Sequence, residues 1–249
     1  MVMSVVETKA RVGLYPELEG ARVLITGLEA GHCVDIARAF ADAGCRLILQ
    51  TGTQDTELEV VLEVLAQSAQ DIHVSSTPIP DQNAAVQFAQ DAVRRYGGLD
   101  AVVNLARLDD AGLEPDATDE EIEDRVVATL GRSFRITHVI ANRMQVTWKE
   151  GLILNIVTQA ASETPAAAAL GRIARAALAG LTRQEAARWA DKAVRINAIV
   201  PAIEDSCEPG ATSAGLSSEP EIAALALHLA GKRGRNLSGL VFDASTMTA

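Results

Sequence analysis

A short apolar run, Arg22 to Thr26, leads into two glycines with Gly-x-x-x-Gly spacing, Gly27 and Gly31; helical spacing then runs from Cys33 to Ala43. A strand, a glycine turn and a helix in that order can hold a phosphate. Unpaired N–H groups and the helix dipole at the helix start favour an anion there. Glu29 puts a carboxylate beside that place and opposes a phosphate, so glycines that merely serve the turn are the weightier reading. Groups for acid–base work are few. The chain has two tyrosines: Tyr15 precedes the first strand and Tyr96 ends a helix. His32 and His138 are the remaining conceivable acids. Cys33, Cys45 and Cys207 have no metal-ligand spacing and read as reduced thiols, and no metal site is expected.

The elements that must position these residues follow from apolar periodicity. Strands are expected at 22–26, 47–51, 72–76, 99–104, 152–157, 195–200 and 240–243. Helices are expected at 33–43, 58–69, 83–96, 119–145, 165–190 and 220–230, with Gly44 closing the first. Strands alternating with helices of this length predict one α/β domain. It would be a Rossmann-type doubly wound parallel sheet of about seven strands with helices on both faces. Residues 1–17 read as an N-terminal extension before a domain over 18–249.

At 249 residues with 48% apolar content the chain can bury a core, and with only 3% aromatics that core must be aliphatic. The net charge of −11 argues against nucleic acid or an anionic membrane surface as partner. There is no basic segment followed by an apolar core at the start, and no apolar run long enough to span a membrane. The cytoplasm is the expected location.

Five landmarks stand in order over roughly 18–245: Thr26-Gly27-x-x-x-Gly31, Leu99-Asp100-Ala101-Val102-Val103-Asn104-x-Ala106, Asn155-Ile156, the run Ala176 to Thr182, and Val194-Arg195-Ile196-Asn197-Ala198-x-x-Pro201. Together they resemble the short-chain dehydrogenase/reductase (SDR) family. The resemblance implies a Rossmann fold, an NAD(P) cofactor and a Ser, Tyr, Lys and Asn tetrad. On these landmarks the Asn position is Thr129, the Ser position Thr158, the Tyr position Gly171 and the Lys position Arg175. Arg keeps a charge but is not interchangeable with Lys. Gly in place of Tyr leaves no phenol, and neither tyrosine of the chain lies where it could serve instead.

The cofactor positions implied by the resemblance depart as well. They are Gly27 and Gly31, which are kept; Cys33, where a third glycine is usual; Thr51, where an acid would accept from a ribose; Pro78-Ile79, where an Asp-Val pair is usual; and Asn104 with Arg107, where the family has Asn-Asn-Ala-Gly. Ser206 lies near a nicotinamide-contacting threonine and Ala202 replaces a glycine. The segment from Pro201 to Pro220 is shorter than the family's substrate lid.

These departures predict a degenerate member: a pseudoenzyme subunit, no enzyme on its own and binding no cofactor. It would assemble as a heterotetramer with a catalytically intact SDR paralogue that holds NAD(H). It resembles the description of the non-catalytic subunit of a heteromeric member such as the two-subunit hydroxyacyl-CoA dehydrogenase of anaerobic toluene (benzylsuccinate) degradation. Arg132, Arg143 and Arg172 are candidates to meet an acyl-CoA phosphate. The family's interfaces imply Ile122, Val126, Leu130, Phe134, Ile173, Ala177, Leu178, Leu181, Leu225 and Leu229 as interface candidates, about half of which are expected to face their own sheet. A ligand-sensing Rossmann protein and a divergent active oxidoreductase using other residues are the alternatives.

Overall fold

The structure is a computed structural model. It describes residues 14–31, 33–52, 56–111, 113, 117–146, 150–159, 164–201 and 218–244. Seven strands, β1 (Arg22–Leu28), β2 (Arg46–Thr51), β3 (Asp71–Ser75), β4 (Ala101–Leu108), β5 (Gly151–Gln159), β6 (Val194–Pro201) and β7 (Val241–Ala244), form one sheet in the order β3-β2-β1-β4-β5-β6-β7. Every pairing is parallel. Strand order reverses between β1 and β4, which is where open α/β sheets bind ligands. The expected fold class is the one observed.

Six helices connect the strands: α1 (Val34–Asp42), α2 (Thr56–Ala66), α3 (Gln82–Tyr96), α4 (Asp119–Val146), α5 (Pro165–Trp189) and α6 (Glu219–Ala230). Their apolar faces sort into two layers. Ile36 and Phe40 of α1, Leu58 and Leu65 of α2, and Ile222 and Leu229 of α6 share one core cluster with one face of the sheet. α3 and the C-terminal parts of α4 and α5 bury the other face, with Phe88, Ile136, Ile140 and Trp189. The N-terminal halves of α4 and α5 close a third cluster over β5 and β6 through Val126, Leu130, Leu170 and Leu178. The central strands are buried on both faces, which is why they read as continuous apolar runs.

Local signals account for several ends. Thr164 caps α5, accepting from the Ala167 N–H at 3.1 Å, and Asp81 caps α3 through the Ala84 N–H at 2.8 Å. Thr118 and Glu121 form a reciprocal capping box at the start of α4. Gly44, with φ +72°, follows α1 as expected. Residues 15–18 pack onto the domain: Tyr15 lies against the core, Glu17 accepts from the Lys232 N–H at 2.8 Å and Leu18 is buried. Three strands run further than the apolar pattern indicates. β1 reaches Leu28, β4 reaches Leu108 and β5 reaches Gln159. Arg107 and Thr158 therefore stand on neighbouring strands, paired in register.

Candidate cofactor cleft and active-site positions

The turn after β1 demands its first glycine. Gly27 has φ +75°, and a β-carbon there would collide with the carbonyl oxygen of Leu105. Its N–H donates to Gln50 Oε1 at 3.0 Å. Gly31 has open space where a β-carbon would be, so its neighbours do not require glycine. Cys33 keeps the left-handed conformation, φ 61°, that suits a glycine at this place, and it sits at the N-cap of α1 without a side-chain cap bond. Its thiol is buried and its pKa is pushed up, first by burial and then by the Glu219 and Glu29 carboxylates. That makes it an inert sulfur.

The cap missing at Cys33 comes from elsewhere. Glu219, the first residue of α6, accepts from the Asp35 N–H at 2.5 Å. Burial raises its pKa above the ordinary 4.5; the Asp35 and Cys33 backbone N–H groups pull the other way, and the Asp35 carboxylate adds to the rise. A carboxylate therefore already holds the helix start where the family resemblance places a pyrophosphate.

Beside this turn lies a cleft of about 310 Å³, lined by Gly27, Glu29, Leu105, Ala106, Arg107, Ala128, Thr129, Arg132 and Ser133. Arg107 is exposed and projects into it, as its position in the sequence implied. Thr129, the relay position, lies on its wall with Arg132. Thr51 is fully buried at the ribose position, and its hydroxyl has no hydrogen-bond partner among the described residues. It cannot reach a ribose. Asn104 is likewise committed inside the fold: Nδ2 donates to Asn155 Oδ1 at 2.9 Å and to Thr137 Oγ1 at 3.1 Å, and Oδ1 accepts from Thr26 Oγ1 at 3.0 Å. This network ties β1, β4, β5 and α4 together and faces no ligand. With Glu219 on the helix start, Arg107 in the cleft and Thr51 buried, the residues do not fit a dinucleotide held in the family's way.

At the tetrad positions, Gly171 is buried on α5 beneath Gln159, the last residue of β5. A β-carbon at 171 would stand 2.5 Å from Gln159 Oε1. Gln159 Nε2 donates to the Ala167 carbonyl at 2.6 Å, which holds the side chain across the first turns of α5. The place a β-carbon at 171 would take is therefore occupied by an amide. Thr158, next to it on β5, is buried and keeps a hydroxyl at the serine position. Arg175 is ion-paired with Asp243 on β7. The site offers hydroxyl and amide groups that can bind an oxygen, with no phenol to protonate it.

The other candidates lie elsewhere. Tyr96 is buried and donates to the Leu47 carbonyl at 3.2 Å, with the Arg46 guanidinium 4.1 Å from its ring centre. His138 faces Glu185 and the edge of Trp189 towards the far end of α4. Arg172 is exposed on α5. His32, Ala202, Ser206 and Cys207 lie outside the described residues. Among the described residues no cluster of His, Cys, Asp or Glu could hold a metal, and no helix is long and apolar enough to cross a membrane. Gln159, Asp243 and Glu219 are the functional neighbours that sequence reasoning missed. Only Gln159, adjacent to Thr158, carried a local signal.

Known proteins resemble the chain along most of its length. A hydroxysteroid dehydrogenase from Escherichia coli superposes with a TM-score of 0.72 over 92% of this chain and 96% of that one, at 23% identity, a likeness of fold alone. A galactitol 2-dehydrogenase (L-tagatose-forming) of Cereibacter sphaeroides is 30% identical over 241 residues, 90% of this chain and 93% of that protein. A 3-oxoacyl-[acyl-carrier-protein] reductase of Vibrio cholerae is 26% identical over 217 residues, 87% and 85% of the two chains. These relatives correct one expectation. The departures at the tetrad and cofactor positions together predicted a chain that is no enzyme on its own, whereas the proteins it resembles are named as dehydrogenases and reductases. The physical reason for the error is that departures from the family's side chains do not show which groups stand in their place, as the Gln159 amide does over Gly171. Residues 21–208 match the family model described as short chain dehydrogenase, and the chain belongs to the short-chain dehydrogenase/reductase family.

Proposed function

We propose that the chain is a divergent oxidoreductase of this family that acts on a hydroxyl–carbonyl couple with residues other than the tyrosine and lysine. It assembles in the cytoplasm with a paralogue that keeps Tyr-x-x-x-Lys and holds NAD(H), as a heterotetramer. The observation that carries this reading is Gln159, which fills the volume over Gly171 and is fastened to the Ala167 carbonyl. Gly171 leaves room for that amide, which puts a fixed polar group at the end of β5, beside Thr158. In this site Thr158 Oγ1 donates to the reacting oxygen, as a serine hydroxyl would, and Gln159 sets the wall beside that oxygen. With no phenol at 171, the proton exchanges with water, and the hydride would pass between the substrate carbon and a nicotinamide that this chain holds more weakly than the family does.

Assembly draws support from the surfaces of α4 and α5. Ile122, Val126, Leu130, Leu178 and Leu229 are buried in their own core, the half expected to face inward. Phe134, Ile173, Ala177 and Leu225 are only partly covered, and Val127 on α4 is 68% exposed. The substrate is a secondary alcohol or its ketone. Relatives named for sugar alcohols and for acyl thioesters set the two classes to try. The hydroxyacyl-CoA class is the one the heteromeric resemblance favours.

The test is co-expression of the tagged chain with SDR paralogues from the same genome, then gel filtration and an NAD(H)-linked assay over sugar alcohols and hydroxyacyl thioesters. The expected result is co-elution with turnover of one class. Elution apart, with the paralogue fully active alone, overturns the assembly; absence of turnover in every fraction overturns the oxidoreductase.

A further inference from the structure

The start of α1 is the place where this family's architecture exposes N–H groups to an anion. In this chain those groups already have a partner, and the partner is far away in sequence. Glu219 Oε1 takes the Asp35 N–H at 2.5 Å across a separation of 184 residues. The contact is held by packing: α1 and α6 lie side by side, and Ile36 and Phe40 share a core cluster with Ile222 and Leu229. It is also costly. Burial opposes the charged carboxylate, and Asp35 repels it. Against that cost, the backbone N–H groups of Asp35 and Cys33 at the helix start favour the charged carboxylate. Cys33 at the N-cap makes no side-chain cap bond to the helix.

We infer that Glu219 is an internal stand-in for a ligand phosphate, so that a nucleotide gains the α1 anchor only by displacing the first turn of α6. The approach itself is preserved. Gly27 retains the φ of +75° that brings the turn close against β4, and the 310 Å³ cleft opens on the same turn. What closes the anchor is one carboxylate from α6, with Glu29 a second acid on the cleft wall. The inference stands apart from the proposed reaction, because it is read by binding.

Calorimetric titration of the full chain with ADP and with NADH tests it, comparing wild type, Glu219→Ala, Glu219→Gln and Glu29→Gln. Wild type binds both weakly. Glu219→Ala binds ADP at least about tenfold more tightly, about 1.4 kcal/mol. Glu219→Gln gains less, about threefold, because its amide oxygen still accepts from the Asp35 N–H while lacking the charge. Glu29→Gln gains less than Glu219→Ala. Amide exchange at Asp35 speeds up in Glu219→Ala and slows again when ADP is added. Tight ADP binding by wild type overturns the inference. So does a folded Glu219→Ala with unchanged affinity, or a Glu29→Gln that gains as much. If Glu219→Ala fails to fold, the isosteric Glu219→Gln decides: affinity equal to wild type overturns it.

Discussion

Gly171 and Gln159 are best understood as one feature. The glycine lets the glutamine lie over α5, where its amide donates to the Ala167 carbonyl. This coupling is measurable. Alanine exceeds glycine in helix propensity by about 1 kcal/mol. At 171 its β-carbon pushes Gln159 off a hydrogen bond worth about 1 kcal/mol. Gly171→Ala in the wild-type background is therefore close to neutral, and in a Gln159→Ala background it stabilises by about 1 kcal/mol. Urea denaturation of the four chains checks this, and equal effects in both backgrounds would show that the two side chains do not meet. The vacated positions were legible in the sequence because each departs from a motif at fixed spacing. The refilling was not, since it depends on where a neighbouring side chain points. Glu219 lay further out of reach, brought to α1 by tertiary packing alone.

At the scale of elements, apolar runs located the seven strands and six α-helices of the described residues. The ends of β1, β4 and β5 fell short, because Gly27 in β1, Asn104 and Arg107 in β4, and Thr158 and Gln159 in β5 interrupt the apolar run while the strand continues. The bond between α6 and α1 has a pH signature. Burial holds Glu219 above its ordinary 4.5 in the folded chain. The folded state therefore takes up that proton before the unfolded state does. Its stabilising contribution is complete below about pH 4.5 and is lost as pH rises through the folded value. Asp35 on α1, Glu29 on the turn and Arg107 on β4 are the charged groups around this helix start, and Asp35 raises the value further. Glu17 and Glu121 shift the opposite way, lowered by the backbone N–H groups of Lys232 and Thr118, so their contributions are lost as pH falls below 4.5. Urea midpoints of wild type and Glu219→Gln separate the two signs. From pH 7 to pH 5 wild type gains relative to the variant, and a difference that stays flat or reverses contradicts the buried carboxylate.

At the scale of the molecule, the parallel sheet, its switch point between β1 and β4, and the two helix layers are those of the family, while Glu219 stands at the start of α1 and Gln159 over Gly171. The family and the fold were readable from ordered landmarks spread over most of the sequence, since each landmark serves packing as well as chemistry. Activity was misjudged from the same motifs, because absence of a side chain does not show what takes its space. The central claim is that the refitted site, with Thr158 at its serine position, still performs oxidoreductase chemistry. It is tested most directly in an assembly whose paralogue has its active-site tyrosine replaced by phenylalanine, so that the remaining turnover belongs to this chain. At saturating NAD(H) the account predicts residual turnover of the hydroxyl–carbonyl couple that falls at least about tenfold on Thr158→Val, the loss expected for removing one hydrogen-bond donor to a reacting oxygen. Residual turnover indifferent to Thr158→Val, or no residual turnover at all, would contradict it.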